Sequence, residues 1–565
     1  MQKKWVIKDY DKDQVLKLKN DFKLTDIMSK LLLARDVKYN EIDKFLNGTL
    51  KDIKDPYLLK DMNKLVDRID KAIQDKEKIC IYGDYDVDGI TSITIMYQFL
   101  SSLGADVTYY LPDRLIEGYG VNTSALDVIK KRGVSLVITV DCGITAVEET
   151  KYAKSIGLDI CITDHHECAE ILPDAIAIVN PKQKDDSSEY KFHAGVGVAF
   201  KCLMALSKKY GLSENSYLKY LDIVAIGTIS DIVALTDENR IISKYGLAMI
   251  KNTQNIGLKA LIELLDIKEI DSTAVSFSLA PRINACGRMG KAGVAVELLL
   301  EKDIEKAKQI AITLDELNTK RQEIEKEIFE NAIDMINLNG MENKKSIVLY
   351  NKSWHNGVIG IVASKLVNMY QKPVILLTKE NNVIRGSGRC QQGISLYDSL
   401  TKCKDTLIQF GGHELAAGLS IEEENLQKFI DEFEKVIFEE VGDKEPEQII
   451  DIDMQIFEKD LNVSLIKDLY KLRPYGQSNK VPQFLYKGLK ITAIRTLKDD
   501  KHLKLTLKDN KFLLDALAFS QGNRRDELRL GDKIDVVCSV EVNTFTSPRT
   551  IQLILQDFKK SVENV

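Results

Sequence analysis

Between residues 77 and about 180 the chain alternates short apolar runs with longer amphipathic stretches. KICIY, ADVTYYLP, SLVITV and LDICIT are strand-like. ITSITIMYQFLSSLG, SALDVIKKRG and TAVEETKYAKSIG space their apolar residues as helices do. Such alternation predicts βαβ units and a parallel sheet. Residues 195–265 read mainly as helices, and 304–336 as one long charged helix. Its polar surface is too broad for deep burial, so it is expected to be a rigid connector.

From Ser346 the pattern returns as SIVLY, GVIGIVASKLVN and KPVILLT, which marks a second α/β domain ending near residue 440. GDKEPEQ (442–448) reads as a linker. Beyond it LKITAIRTL, HLKLTLKD, FLLDALAFS, DKIDVVCSVEVN and TIQLILQDF alternate in steps of two between turn residues. Five such strands fit a small β-barrel, with an OB-fold among the options. The expected fold class is therefore α/β, with five segments: a helical segment 1–70, a parallel-sheet domain 71–240, a helical region with connecting helix 241–340, a second α/β domain 341–441 and an OB-like barrel 449–565.

Composition narrows the class. The chain has 565 residues, 44% apolar and 29% charged, which describes a globular protein with several cores. No apolar run approaches a membrane helix, and MQKKWVIKDYDKDQ carries no signal core, so a membrane or exported protein is not expected. Nine scattered cysteines without a CxxC pair read as reduced thiols of a cytoplasmic protein. A net charge of −6 argues against coating nucleic acid with bulk positive charge but leaves room for a local basic groove.

The chemistry lies after the first sheet's strands. IYGDYDVDGITS places Asp84, Asp86 and Asp88 within five residues. At an effective dielectric near 20, two charges roughly 5 Å apart repel by about 3 kcal/mol, so the cluster must face water, hold a proton or bind a cation. SLVITV ends at Asp141, LDICIT ends at Asp164-His165-His166-Glu167, and LDIVAIGTIS ends at Asp231. In open α/β sheets ligands sit beyond the carboxyl ends of the strands, and all these acids are expected at strand ends. Alone, each has a structural explanation: a helix cap for Asp141, a satisfied histidine for DHH. An EF-hand is excluded because Ile95 stands where its twelfth-position Glu belongs. Together they suit Mn²⁺, or Mg²⁺ and Zn²⁺. Two ions bridged by an Asp would clamp a phosphate and activate water.

In this order DYDVDG, VDCG, TDHHE and GTISD resemble the four motifs of the DHH phosphoesterases, and GGHELAAGLS (411–420) resembles the signature of the DHH-associated domain. LPDRLIEGYG, GVGVAFK, LAPRINACGRMG, SWHNGVIGIVASKL, RGSGR and LRPYGQSNKVPQF are similar to the RecJ-type branch of single-strand exonucleases, from about residue 50 onward. The resemblance implies a metal-dependent 5′→3′ exonuclease of DNA repair and recombination. It implies two ions, Mn²⁺ or Mg²⁺, on Asp84, Asp86, Asp141 (the bridge), His165 and Asp231, with His166 at the scissile phosphate. Ser387, Arg389 and Arg114 would bind the 5′-terminal phosphate, Arg282 and Asn284 the strand, and His413 the bound phosphates across the cleft. RGSGR could instead be an ordinary glycine turn, Arg288 a loop brace, and His413 a cap for LAAGLS, which reads as a small-residue helix. Asp88 either binds metal through water or holds the turn before Gly89. Tyr119 either stacks on a base or packs in the core, and His355 either packs on Trp354 or joins the cleft. His193 and His502 belong to no site. The implied partner is single-stranded DNA, 5′-phosphorylated, with a helicase or single-strand-binding protein beside a monomeric enzyme. The competing readings are a phosphodiesterase for cyclic dinucleotides or very short oligonucleotides, and a silent single-strand scaffold.

Overall fold

The structure is a computed structural model. It describes residues 3–113, 117–118, 120–380, 382–442, 448–510, 512–543 and 547–561. The chain forms two compact units: Asp55–Val233 with Tyr245–Glu447, and Met1–Lys54 with Ala234–Lys244 and Gln448–Val565.

The first of these units holds two sheets. The first is all parallel, in the order Asp106–Tyr110, Lys78–Gly83, Val134–Val140, Asp159–Thr163, Ala177–Val179. Its central strands are apolar on both faces because helices cover both sides. The helix Val87–Ser102 departs from expectation. It is buried on nearly every face rather than amphipathic, because helices Gly195–Lys209, Leu221–Ser230 and Ala292–Leu300 all pack on it.

The connector forms as one helix, Ile304–Leu338, starting at an Asp303 cap whose carboxylate accepts from Glu305 N and Lys306 N. One face of it is buried, including Asn318, Arg321 and Glu325. The second sheet runs Gln409–Gly412, Ala416–Ile421, Val383–Arg389, Val374–Glu380, Ile347–Tyr350 and is antiparallel except for its last pair. Two local expectations are corrected here. RGSGR is not a turn but part of an interior strand, paired on both sides. LAAGLS is not a helix: Ala416–Ile421 is a strand, since Ala, Gly and Ser carry too little side chain to show either period.

The other unit contains the closed barrel. Its strands Phe484–Leu497, His502–Lys508, Leu513–Ala518, Thr550–Lys560 and Lys533–Asn543 pair in that order, and the last pairs back to the first. Closure leaves no free sheet edge among these strands. Residues 1–54 do not stand apart: Leu31, Leu32 and Ile42 join Leu469, Leu503 and Phe558 in one core. The strand Lys4–Ile7 pairs in parallel with Ile449–Ile452. The Arg240 guanidinium ties this unit by donating to the carbonyls of Phe45, Leu472 and Lys471 at 2.8–2.9 Å. Among the described residues no helix is long and apolar enough to cross a membrane.

Candidate metal centre and phosphate-binding residues

Three parallel strands end side by side and deliver the polar groups. Asp84 follows Gly83. Asp86 caps helix Val87–Ser102, accepting from Asp88 N at 2.9 Å and Gly89 N at 3.1 Å. Asp141 follows Val140 with a left-handed φ of 60°, a conformation that aspartate tolerates better than most residues. His165 and His166 follow the strand Asp159–Thr163. Asp231 differs from the others: it stands at the carboxyl end of helix Leu221–Ser230, not of a strand.

The ligand atoms of Asp84, Asp86 and Asp141 lie within 4.8 Å of one another, as do those of Asp141, His165 and His166, and those of Asp88, His165 and Asp231. His165 Nε2 is 3.1 Å from Asp141 Oδ1, 3.6 Å from Asp231 Oδ2 and 3.8 Å from Asp88 Oδ2. The overlapping sets share Asp141 and His165, so two adjoining cation positions would share ligands. Among the described residues Asp141 Oδ1, His165 Nε2 and Asp231 Oδ2 are buried without a hydrogen bond. Burial, then the Asp88 carboxylate, pushes Asp231 up to about 9 and Asp141 well above the carboxylate range. Burial and then Asp86 push Asp88 up to about 7. Burial, then His166, pushes His165 down to about 3. Acids that cannot all ionise beside a neutral imidazole suit hard or borderline divalent cations. On this donor set the residues fit Mn²⁺ or Mg²⁺.

Asp88 has a role beyond the two expected of it. Its carboxylate accepts from Gly195 N at 2.6 Å and Val196 N at 2.8 Å, holding the amino end of helix Gly195–Lys209 against the site. That approach needs glycine, since a Cβ on Gly195 would lie 2.5 Å from Asp141 Cβ. Asp164 has a role that the sequence alone does not assign, although an Asp directly before two His is visible there. It accepts from Ile144 N, His165 N and His166 N, and its Oδ1 is 2.7 Å from His166 Nδ1. Burial disfavours charge on both partners. Their mutual hydrogen bond outweighs it, lowering Asp164 and raising His166 from their ordinary values. The His166 ring is thereby oriented by a carboxylate, as ligating and catalytic imidazoles often are.

Asn284 Oδ1 accepts from Val87 N at 3.2 Å, which places it beside Asp86. Arg282 is tethered to the long helix: Nε donates to Asp315 at 3.0 Å and Nη1 to Ser278 O at 3.0 Å. Arg288 Nη1 donates to Gly357 O at 3.2 Å, a brace between the helix Ala280–Arg288 and the second α/β domain. Ser387 and Arg389 project from the same side of their strand, with Arg389 Nη1 donating to Ser387 Oγ at 2.9 Å. Helix Asn356–Tyr370 lies close over them: a Cβ on Gly360 would come within 2.8 Å of Ser387 Oγ and 3.1 Å of Arg389 Nη2. His355 is the cap of that helix, its Nδ1 accepting from Gly357 N at 3.1 Å, while the Trp354 indole donates to Asn331. His413 sits exposed in the hairpin turn before Ala416–Ile421, its N–H bonded to Ala416 O, and so caps no helix. Arg114 and Tyr119 lie outside the described residues.

Three family models match: DHH family, N-terminal domain over 78–228, DHHA1 domain over 343–439, and RecJ OB domain over 452–557. The chain is 38% identical over 560 residues to the single-stranded-DNA-specific exonuclease RecJ of Bacillus subtilis, covering 98% of this chain and 70% of that protein. It is also similar to the RecJ of Thermus thermophilus solved with Mn²⁺. That match has a TM-score of 0.85 and 28% identity, covering 99% of this chain and 80% of that one. The same protein solved with Mg²⁺ matches at 0.79 and 27%, covering 99% and 79%. On this identity and coverage, together with the strand-end acids, the chain belongs to the RecJ family of DHH phosphoesterases.

Proposed function

We propose that this protein is a single-stranded-DNA-specific 5′→3′ exonuclease of DNA repair and recombination, hydrolysing phosphodiester bonds with two divalent cations, Mn²⁺ or Mg²⁺. The observation that carries the reading is the chain of overlapping close sets through Asp84, Asp86, Asp141, His165 and Asp231, with Asp84, Asp141 and His165 buried and Asp86 and Asp231 partly so. Asp141 and His165, common to overlapping sets, would be shared. When bound, the cations supply positive charge to a phosphoryl oxygen and let water act as nucleophile at neutral pH.

The chain's own residues do the rest. Asp88 and Gly195 fix the helix behind the acids. Asp164 holds His166 so that its imidazole donates to the scissile phosphate. Asn284 fixes the first turn after Asp86 and faces the strand with Arg282. Ser387 and Arg389, beneath the amino half of helix Asn356–Tyr370, form an anion site for the terminal 5′-phosphate. A closed end there sets how far the strand advances and makes cleavage exonucleolytic. Arg114 completes the same pocket in this reading, and His413 meets the phosphate chain from the hairpin. The barrel binds single strand by stacking and charge. Nine free cysteines fit a reducing cytoplasm. The enzyme would act there as a monomer on strands released by a helicase or held by a single-strand-binding protein.

The test is a 5′-phosphorylated, 3′-labelled single strand incubated with Mn²⁺. Progressive shortening from the 5′ end, abolished by chelator, is expected. Cleavage confined to dinucleotides would favour a short-oligonucleotide phosphodiesterase instead, and retention without cutting would favour a scaffold.

A further inference from the structure

The helix Ala280–Arg288 is preceded, without a break, by a wider π-helical turn, Val275–Leu279. Such turns are rare and recur at functional sites. This one packs against Leu221–Ser230, the helix that carries Asp231. It presents Phe277 at 76% exposure, the most exposed aromatic side chain among the described residues. Val275 and Leu279 on either side are buried, so the turn is anchored while its ring is not.

Phe277 also has a register. On the α-helix that follows, Asn284 and Arg288 lie four residues apart on one face, and Phe277 stands on the π-turn seven residues before Asn284. On that face Asn284 accepts from Val87 N beside Asp86. Arg288 reaches Gly357, on the helix that covers Ser387 and Arg389. The helix thus runs from beside the 5′-phosphate residues, past the acids, to the turn that carries Phe277. Seven residues of helix span about 10 Å. A stacked strand advances about 3.4 Å per nucleotide and an extended one more, so this is a reach of about two or three nucleotides.

We propose that Phe277 is a stacking platform for a base of the entering strand, on the 3′ side of the scissile phosphate, making it a positioning residue for the exonuclease reaction. The proposal rests on the 5′→3′ reading above. An aromatic face accepts any base, which suits an enzyme that must degrade strands of any sequence. Arg282, five residues further on, donates to Ser278 O on the same turn and to Asp315 on the long helix, and so anchors the turn that carries the ring.

The test compares wild-type protein, Phe277→Ala and Phe277→Trp on 5′-phosphorylated strands carrying 2-aminopurine at successive nucleotides. In wild type, binding in Ca²⁺ quenches the probe at one position within the first few nucleotides from the 5′ end. Phe277→Ala removes that quench and raises KM on the order of tenfold, with a penalty that grows with strand length. Its kcat stays within about twofold. Phe277→Trp restores both the quench and the KM. A platform is refuted if Phe277→Ala keeps the quench and KM, or if kcat falls while KM holds. Should wild type itself shorten strands from the 3′ end or not at all, the 5′→3′ reading fails and the proposal with it. Normal 5′ shortening with an indifferent Phe277→Ala sinks the platform alone.

Discussion

The long helix and the strand ends both bury charge within one compact unit, and they resolve it differently. On the helix Ile304–Leu338, Arg321 donates to Glu325 and, at 2.5 Å, to Asn318 Oδ1, while Lys365 adds a second cation to Glu325. Lys365 is half exposed and solvated, so the buried part of the network is one cation against one carboxylate and is balanced from within. At the other site Asp84 and Asp86 crowd Asp141 at the strand ends, and Asp141, Asp88 and the helix-end Asp231 crowd the His165 imidazole, which burial keeps neutral. Burial of charge alone therefore does not mark the site; an excess of one sign does, because only something from outside can balance it.

The comparison breaks most visibly at Asp141. Asp141→Ala is expected to lower strand hydrolysis on the order of 10³-fold while filter binding retains the strand. Near-normal turnover would remove Asp141 from the shared position. On the helix the same kind of change should act on folding instead. Glu325→Ala leaves the buried Arg321 without its carboxylate and should cost about 3 kcal/mol in a urea titration, with Mn²⁺ affinity per folded molecule unchanged. A variant of wild-type stability would show that the helix network is not self-sufficient.

Arg389 tests the anion site proposed beside Ser387. Arg389→Ala should weaken use of 5′-phosphorylated ends about tenfold and narrow the difference from 5′-hydroxyl ends. Equal loss on both ends would assign Arg389 to the sheet rather than to the phosphate.

The smallest effect is in pH. Without metal, Asp88 and Asp231 titrate near about 7 and about 9, above the 3.8 of an ordinary aspartate. Carboxylates that folding keeps protonated lend stability at low pH, and it is lost as pH rises through those values. His165, held down to about 3, works the opposite way below its ordinary 6.5. Stability in chelator should therefore fall most cleanly between pH 6.5 and about 9, by a few degrees in Tm. Mn²⁺ should cancel the slope by occupying the acids. A Tm in chelator that climbs across this window would contradict the protonated-acid picture.

Much of this is legible in the sequence because parallel strands buried on both faces are unbroken apolar runs. An acid that ends such a run is conspicuous, and Asp84, Asp141 and the DHH triplet stand out that way. Asp231 stands out too but reads as a strand end, since LDIVAIGTIS is apolar all round and such a run has no period to tell helix from strand. RGSGR and LAAGLS mislead for the related reason that small residues are placed in a sheet by their neighbours, not by their own preference. Asp88 illustrates a further limit. Its partners, Gly195 and Val196, are more than a hundred residues away, and no local pattern announces a bond of that span. The joining of residues 1–54 to the barrel core is hidden in the same way.

That joining bears on how the molecule is made. The strand at Lys4 has no partner until Ile449 has been synthesised, and the barrel closes only when Thr550–Lys560 meets Lys533–Asn543. Leu31, Leu32 and Ile42 must therefore wait uncovered until their barrel partners are made, while the strands between residues 78 and 179 can already pair on the ribosome. The strands that lead to Asp84, Asp141 and His165 can thus pair before the barrel closes, and chaperone capture during synthesis is to be sought at the helices that hold Leu31, Leu32 and Ile42.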